Sequence, residues 1–134
     1  MALSKTIWTY FEGTWHEGDL PVMRAADHGS WLGSTVFDGA RSVNGLTPDL
    51  DLHCARVNQS AEALMITPTV STADMIAITR EGLANFPKEA AVYIRPMYWA
   101  IHGDPTAIVP LSGETGFAIC LEEIPLAPET ATTT

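Results

Sequence analysis

The 134 residues suffice for one domain with a single core, and 46% hydrophobic and 17% charged residues indicate a globular protein, not a disordered one. A formal net charge of −9, with only seven Lys and Arg residues scattered along the chain, excludes a basic surface for nucleic acid. Neither a membrane span nor a signal peptide is recognisable, so no membrane partner is predicted and the cytoplasm is the expected compartment.

The first part of the chain predicts strands. Ile7 to Phe11 alternates in polarity, and after a Glu-Gly turn Thr14 to His16 can return antiparallel, which predicts a hairpin. Residues 27–33 read as a loop or one helical turn. A β-branched run then predicts one strand from Ser34 to Val43, which an Asn-Gly turn dipeptide closes.

Two amphipathic helices follow. The first is predicted from His53 to Met65. Its apolar stripe comprises Cys54, Val57, Ala61, Leu64 and Met65. The second begins near Ser71, with Asp74 completing a variant capping box, and Pro87 stops it.

The end of the chain completes the fold prediction. Residues 91–101 and 116–124 read as two long strands. Several antiparallel strands with two helices predict an α+β fold, with an antiparallel sheet and both helices packed on one face. The predicted domain covers residues 1–124, and residues 125–134, rich in threonine, read as the start of an interdomain linker.

The two cysteines carry no predicted chemistry. Cys54 and Cys120 are far apart in sequence and have no partner at metal-ligand spacing, so we expect two reduced thiols and no metal site.

Three spaced motifs resemble those of the fold-type IV (class IV) aminotransferases, which depend on pyridoxal 5′-phosphate (PLP). They are the string GSTVFDGAR at Gly33–Arg41, His53 followed three residues later by Arg56, and YIRP at Tyr93–Pro96. Their order and spacing are similar to those of the branched-chain amino acid aminotransferases, and with the opening hairpin they cover most of the chain. The resemblance implies the N-terminal small domain of such an enzyme, with PLP as cofactor.

The resemblance implies roles for two arginines. Arg56 matches the helix arginine that binds the phosphate of PLP, and a guanidinium fork suits paired phosphate oxygens. A solvated surface arginine is the alternative. Arg95 matches the strand arginine that meets the side-chain carboxylate of glutamate, the shared amino donor. A salt bridge within the protein is the alternative for Arg95.

Other residues of the motifs match positions beside the substrate. Phe37 and Gly39 match an apolar wall and a close backbone approach in the substrate pocket, although Phe37 fits a core position equally well. Arg41 matches an arginine near the active site and is a further substrate-binding candidate, with surface pairing as the alternative. His53 and His102 are the other possible acid or base groups, and we assign catalysis to neither.

The resemblance also implies what this sequence lacks. The Schiff-base lysine of the family falls in a larger C-terminal domain, and neither Lys5 nor Lys88 matches it. We therefore expect no catalytic residue in this chain, the lysine beyond Thr134, and no transamination by the chain alone. The complete enzyme is expected to be a homodimer whose amino-acid and 2-oxo-acid substrates are a hydrophobic, branched-chain-like amino acid and 2-oxoglutarate.

Two other functions stay open. One is a stand-alone, cofactor-free interaction module derived from this fold. The other is a PLP lyase or a D-amino-acid transaminase of the same family.

Leu32 replaces a tyrosine common in branched-chain enzymes and Asp38 replaces their usual glutamate. These departures leave the preferred amino acid open, because one wall residue contributes only about 1 to 3 kcal/mol of discrimination.

Overall fold

The computed structural model describes residues 6–111 and 114–124. In chain order, their elements are β1 (Ile7–Phe11), β2 (Thr14–Glu17), α1 (His28–Leu32), β3 (Thr35–Phe37), β4 (Ala40–Ser42), α2 (Leu50–Ala63), α3 (Thr72–Leu83), β5 (Val92–Ala100) and β6 (Thr115–Glu123). The α+β prediction is confirmed, with the short α1 as a third helix. The predicted linker, residues 125–134, lies outside the described residues.

The described strands form one antiparallel sheet in the order β2-β1-β6-β5-β3, and β4 also pairs with β5. β5 and β6 pair along their whole lengths, from Val92 opposite Glu123 to Ala100 opposite Thr115. The predicted hairpin is β1 and β2, and the two predicted long strands match β5 and β6 to within one residue at each end. Both long strands were therefore located from the sequence alone.

The single strand predicted from Ser34 to Val43 is wrong, because the sheet divides it into β3 and β4. Both pieces keep the same register on β5. Between them, the Asp38 N–H donates to the Pro96 carbonyl at 3.2 Å. Since Pro96 has no N–H to return, the second hydrogen bond of that pair cannot form and the ladder breaks there.

The first predicted helix is displaced. α2 begins at Leu50, one turn before Cys54, and Leu50 is buried on the same stripe. The helix ends at Ala63, and Met65 takes a positive φ of 61°. Leu64 and Met65, predicted to face the core, are instead 40% and 60% exposed.

The second predicted helix is confirmed at its start. The Ser71 hydroxyl accepts a hydrogen bond from the Asp74 N–H at 3.1 Å and so caps α3. The helix ends at Leu83, earlier than Pro87 suggests, and Phe86 is nevertheless buried in the core.

The core lies between the sheet and the pair α2 and α3. Every second residue of β5 points into it, and these are Val92, Ile94, Pro96, Tyr98 and Ala100. The opposite side of the sheet is called the open face, defined by Phe37, Gly39, Arg41, Tyr93, Arg95 and Met97. One end of that side is covered by α1, where Gly29 packs against Trp99. Within residues 6–111 and 114–124, no helix is long and apolar enough to span a membrane.

Candidate functional site

Strand register brings the predicted substrate residues together. Phe37 lies opposite Met97 and Arg41 lies opposite Tyr93, so the intervening Gly39 is level with Arg95. Because alternate residues of a strand share one face, the four predicted substrate residues all lie on the open face. The sequence places them far apart, and the sheet gathers them.

Gly39 gives Tyr93 its room. A Cβ atom at Gly39 would collide with the phenol oxygen and ring of Tyr93. The Arg95 guanidinium carbon in turn lies 5.3 Å from the centre of the Tyr93 ring, within cation–π range. Tyr93 is therefore part of the site, and sequence reasoning did not single it out. The available signal was the spacing of the YIRP motif, which places Tyr93 and Arg95 on the same side of β5.

Arg95 also lies close to Glu122 and Cys120 on the neighbouring strand β6. Its Nη2 lies 3.8 Å from Glu122 Oε1, beyond hydrogen-bond distance, and the two side chains are 31% and 20% exposed. The salt bridge offered as the alternative for Arg95 is thus present in a loose form. A pair this long leaves most of the guanidinium N–H groups able to meet a substrate carboxylate.

Arg56 reaches from α2 to the edge of the sheet. Its Nε donates to Asp38 Oδ2 at 2.6 Å and its Nη2 donates to Asp38 Oδ1 at 2.9 Å. The Gly39 N–H donates to the same Oδ1 at 2.9 Å, so the guanidinium lies at the sheet edge, next to the segment that joins β3 and β4. The Arg56 side chain is nevertheless 62% exposed, and Asp38 is 5% exposed. An ordinary surface arginine would be equally exposed. Arg56 differs from one because its partner is a buried carboxylate.

His53 completes the group around Asp38. Its Nδ1 lies 2.7 Å from Asp38 Oδ1. Burial disfavours the charged form of Asp38, but hydrogen bonds from Arg56 and His53 outweigh it, and the pKa of this carboxyl is lowered. An ionised carboxylate only accepts hydrogen bonds, so His53 Nδ1 carries a hydrogen and donates this hydrogen bond to Asp38. The same bonds raise the pKa of Arg56, which stays charged.

The remaining acid or base candidates lie away from this group. His102 is exposed, with Nδ1 3.7 Å from Glu114 Oε2. Lys88 lines a cavity with Gly45 and Arg80, between α3 and the turn after β4, on the helix side of the sheet. Burial raises the pKa of both cysteine thiols, that of Cys54 to about 11, so neither is an activated nucleophile.

The described residues form a platform, not an enclosed pocket. Phe37, predicted as a pocket wall, is 58% exposed, and Arg41 is exposed as well. Within residues 6–111 and 114–124, Phe37 and Arg41 lie on the edge strands β3 and β4, and Arg56 reaches the segment between those strands from α2. The arrangement can meet a carboxylate, an apolar side chain and a phosphate, and a ligand lying there would need further cover.

Comparisons with known proteins point to one enzyme family. The model of amino-transferase class IV matches residues 35–133. A Rickettsia typhi protein described as "Probable branched-chain-amino-acid aminotransferase" is 34% identical over 90 residues, which are 63% of this chain and 31% of that protein.

Solved structures agree. An aminotransferase from Brucella abortus, bound to the co-factor PLP, is 53% identical with a TM-score of 0.89, covering 92% of this chain and 45% of that one. The branched-chain amino acid aminotransferase from Escherichia coli shares the fold at 18% identity, with a TM-score of 0.75 over 90% of this chain and 41% of that one. The chain thus spans less than half the length of each of these relatives.

Proposed function

Because the chain belongs to the class IV aminotransferase family, we propose that it forms the small-domain side of a PLP-dependent active site. The proposed reaction transfers an amino group between a hydrophobic, branched-chain-like amino acid and 2-oxoglutarate. The proposed small domain covers residues 1–124. The observation that carries the proposal is the grouping of Phe37, Gly39, Arg41 and Arg95 on the open face, with Arg56 at its edge.

The donors at Arg56 fit the phosphate of PLP. The guanidinium is charged, it is held in place by Asp38, and more than half of the side chain is accessible. Charge-assisted hydrogen bonds from such a fork match a phosphate well. When bound, PLP supplies the electron sink for transamination. Arg56 would hold the phosphate of PLP at the sheet edge, next to the strands that carry the open face.

The open face suits two kinds of substrate in turn. Arg95 meets the side-chain carboxylate of glutamate or of 2-oxoglutarate, as a charged donor that lies half-buried beside Tyr93. Phe37 offers an apolar wall to the hydrophobic amino acid. Gly39 lies between these two residues and has no side chain that would take up space on the open face.

The lysine that the chemistry requires is proposed to come from outside this sequence. Lys88 lies on the helix side of the sheet and cannot serve the open face, and Lys5 lies outside the described residues. The 134-residue chain is therefore proposed to be inactive by itself.

The proposed assembly is a homodimer, and the proposed compartment is the cytoplasm. Large apolar side chains around the end of α1 and the loop after β5 are exposed, among them Trp31 at 55% and Ile108 at 68%. An apolar group of this kind favours a covering partner. Light scattering of the full-length protein is expected to give twice the chain mass, and a strict monomer at high concentration would contradict the dimer.

Cys54 and Cys120 are both unpaired, which suits a reducing compartment.

The proposed function is tested by cofactor absorbance. The full-length protein is expected to bind PLP, which gives it a yellow colour that persists on dialysis and bleaches when glutamate or leucine is added. The 134-residue chain under the same conditions is expected to give no bleaching. A full-length protein that stays colourless with saturating PLP would rule the proposal out.

A further inference from the structure

We propose that Asp38 is a positioning residue for the cofactor site: it clamps one edge of the Arg56 guanidinium so that the other edge is aimed at the phosphate. This inference rests on the proposed function, in which Arg56 is the phosphate ligand. Asp38 itself touches neither the cofactor nor the substrate. Its role is to fix the direction from which Arg56 donates.

The hydrogen bonds of Arg56 divide between two edges. A guanidinium has five N–H groups. Asp38 takes the Nε–H and one Nη2–H, which form the side edge. Both Nη1–H groups and the second Nη2–H remain. One Nη1–H and the second Nη2–H form the end edge, which can hold a second oxyanion in a paired fashion. The two anions therefore do not compete for the same donors.

Asp38 can act as a clamp because it is itself held. Its carboxylate is almost fully buried and accepts from the Gly39 N–H and from His53 Nδ1, as well as from Arg56. The Arg56 side chain, in contrast, is 62% exposed. Since His53 Nδ1 donates to Asp38, its 3.3 Å approach to Arg56 Nη2 is a contact between two donors and not a second hydrogen bond. Within the described residues, Asp38 is thus the group that fixes the guanidinium.

The sign of the effect separates positioning from charge. The negative charge of Asp38 lies next to the proposed phosphate site and repels an anion there. If charge alone governed binding, removing that carboxylate would tighten PLP binding. If positioning governs, the loss of the clamp frees a long side chain that must be ordered again for each ligand, and PLP binding weakens.

The test compares PLP with pyridoxal, which lacks the phosphate. Equilibrium dialysis of the full-length protein gives both dissociation constants for the wild type and for Asp38→Asn, Arg56→Lys, Arg56→Ala and the control Asp51→Asn. Asp51 is an exposed acid in the first turn of the same helix. For Asp38→Asn we expect PLP binding to weaken about two- to twelvefold, the cost of ordering one side chain, with less than about a twofold change for pyridoxal. The control is expected to bind both ligands like the wild type.

Other outcomes overturn the inference in distinguishable ways. Unchanged or tighter PLP binding by Asp38→Asn means that charge, not positioning, dominates. Equal weakening for both ligands means that Asp38 only supports the fold. If Asp38→Asn does not fold, Arg56→Lys provides the test. Wild-type PLP affinity in Arg56→Lys would show that binding does not need a guanidinium held in one direction, and the inference would be wrong. If Arg56→Ala leaves PLP affinity unchanged, the proposed phosphate ligand is wrong and the inference is lost with it.

Discussion

Replacing Arg95 with glutamine is expected to separate the two substrates of the proposed reaction. The side chain lies on the open face beside the Tyr93 ring, and its internal partner, Glu122, is 3.8 Å away. Glutamine keeps a polar side chain of moderate length but removes the charge. Binding of an acidic substrate should suffer, and binding of a hydrophobic one should not.

The expected size follows from the lost charge. A hydrogen bond to a charged group contributes about 1.5 to 3 kcal/mol, so kcat/KM for glutamate should fall about 10- to 150-fold. For leucine the change should stay below about threefold. Because the pair with Glu122 is long and partly exposed, the free energy of unfolding should change by less than about 1 kcal/mol.

Single-turnover kinetics of the full-length protein, followed by cofactor absorbance, give both values of kcat/KM. Arg80→Gln is the matched control, since Arg80 is exposed on α3 and lines the cavity on the helix side of the sheet. Equal losses for glutamate and leucine would refute the assignment of Arg95 to the acidic substrate. A free energy of unfolding lowered by several kcal/mol would instead identify Arg95 as a structural ion pair.

Three further predictions concern packing and pH. Gly39→Ala should lower kcat/KM for leucine roughly tenfold or more in steady-state assays, because its methyl group displaces Tyr93 and a shift of about 1 Å is costly to catalysis. Tyr98→Phe should lower the free energy of urea unfolding by about 1 to 3 kcal/mol, since the fully buried phenol donates to Asn58 Oδ1 at 2.7 Å. The stability advantage of the wild type over Asp38→Asn should be complete above about pH 4 and disappear at lower pH, as measured by unfolding at several pH values. The pKa of the folded-state carboxyl is lowered from 3.8, so acid protonates the unfolded chain first.

Each of these predictions has a contradicting result. The double variant Gly39→Ala, Tyr93→Phe should recover part of the lost activity, because it removes the closest of the colliding atoms, and no recovery would mean that the collision with the phenol oxygen is not the cause. For Tyr98→Phe, wild-type stability would mean that water satisfies the buried amide oxygen of Asn58. A stability gap between wild type and Asp38→Asn that stays constant from pH 7 to pH 3 would show that the folded carboxyl titrates like the unfolded one.

The sequence was sufficient where the signal is local. The two long runs at residues 91–101 and 116–124 located β5 and β6, and the Ser71 cap located the start of α3. The sequence was insufficient where the local structure depends on a residue far away along the chain. The break between β3 and β4 depends on the missing N–H of Pro96, far along the chain. The first turn of α2 was missed because Leu50 was not counted with the apolar stripe.

The candidate site divides in the same way. The motifs selected the substrate residues, and their common face follows from strand alternation combined with a register that the sequence does not state. Asp38 stood out only as a departure from the usual glutamate, because its bonds to Arg56 and His53 join the segment between β3 and β4 to the distant helix α2. Pairwise contacts between distant segments carry no periodic signal that one sequence can display.

The central claim is that Arg56, aimed from the sheet edge, holds the phosphate of PLP while substrate lies over the open face. A crystal structure of the PLP-loaded full-length protein tests it most directly. We expect phosphate oxygens at about 2.7 to 3.1 Å from Arg56 Nη1 and Nη2, with the Asp38 pair intact. A phosphate bound by other residues, with Arg56 left in solvent, would contradict the account.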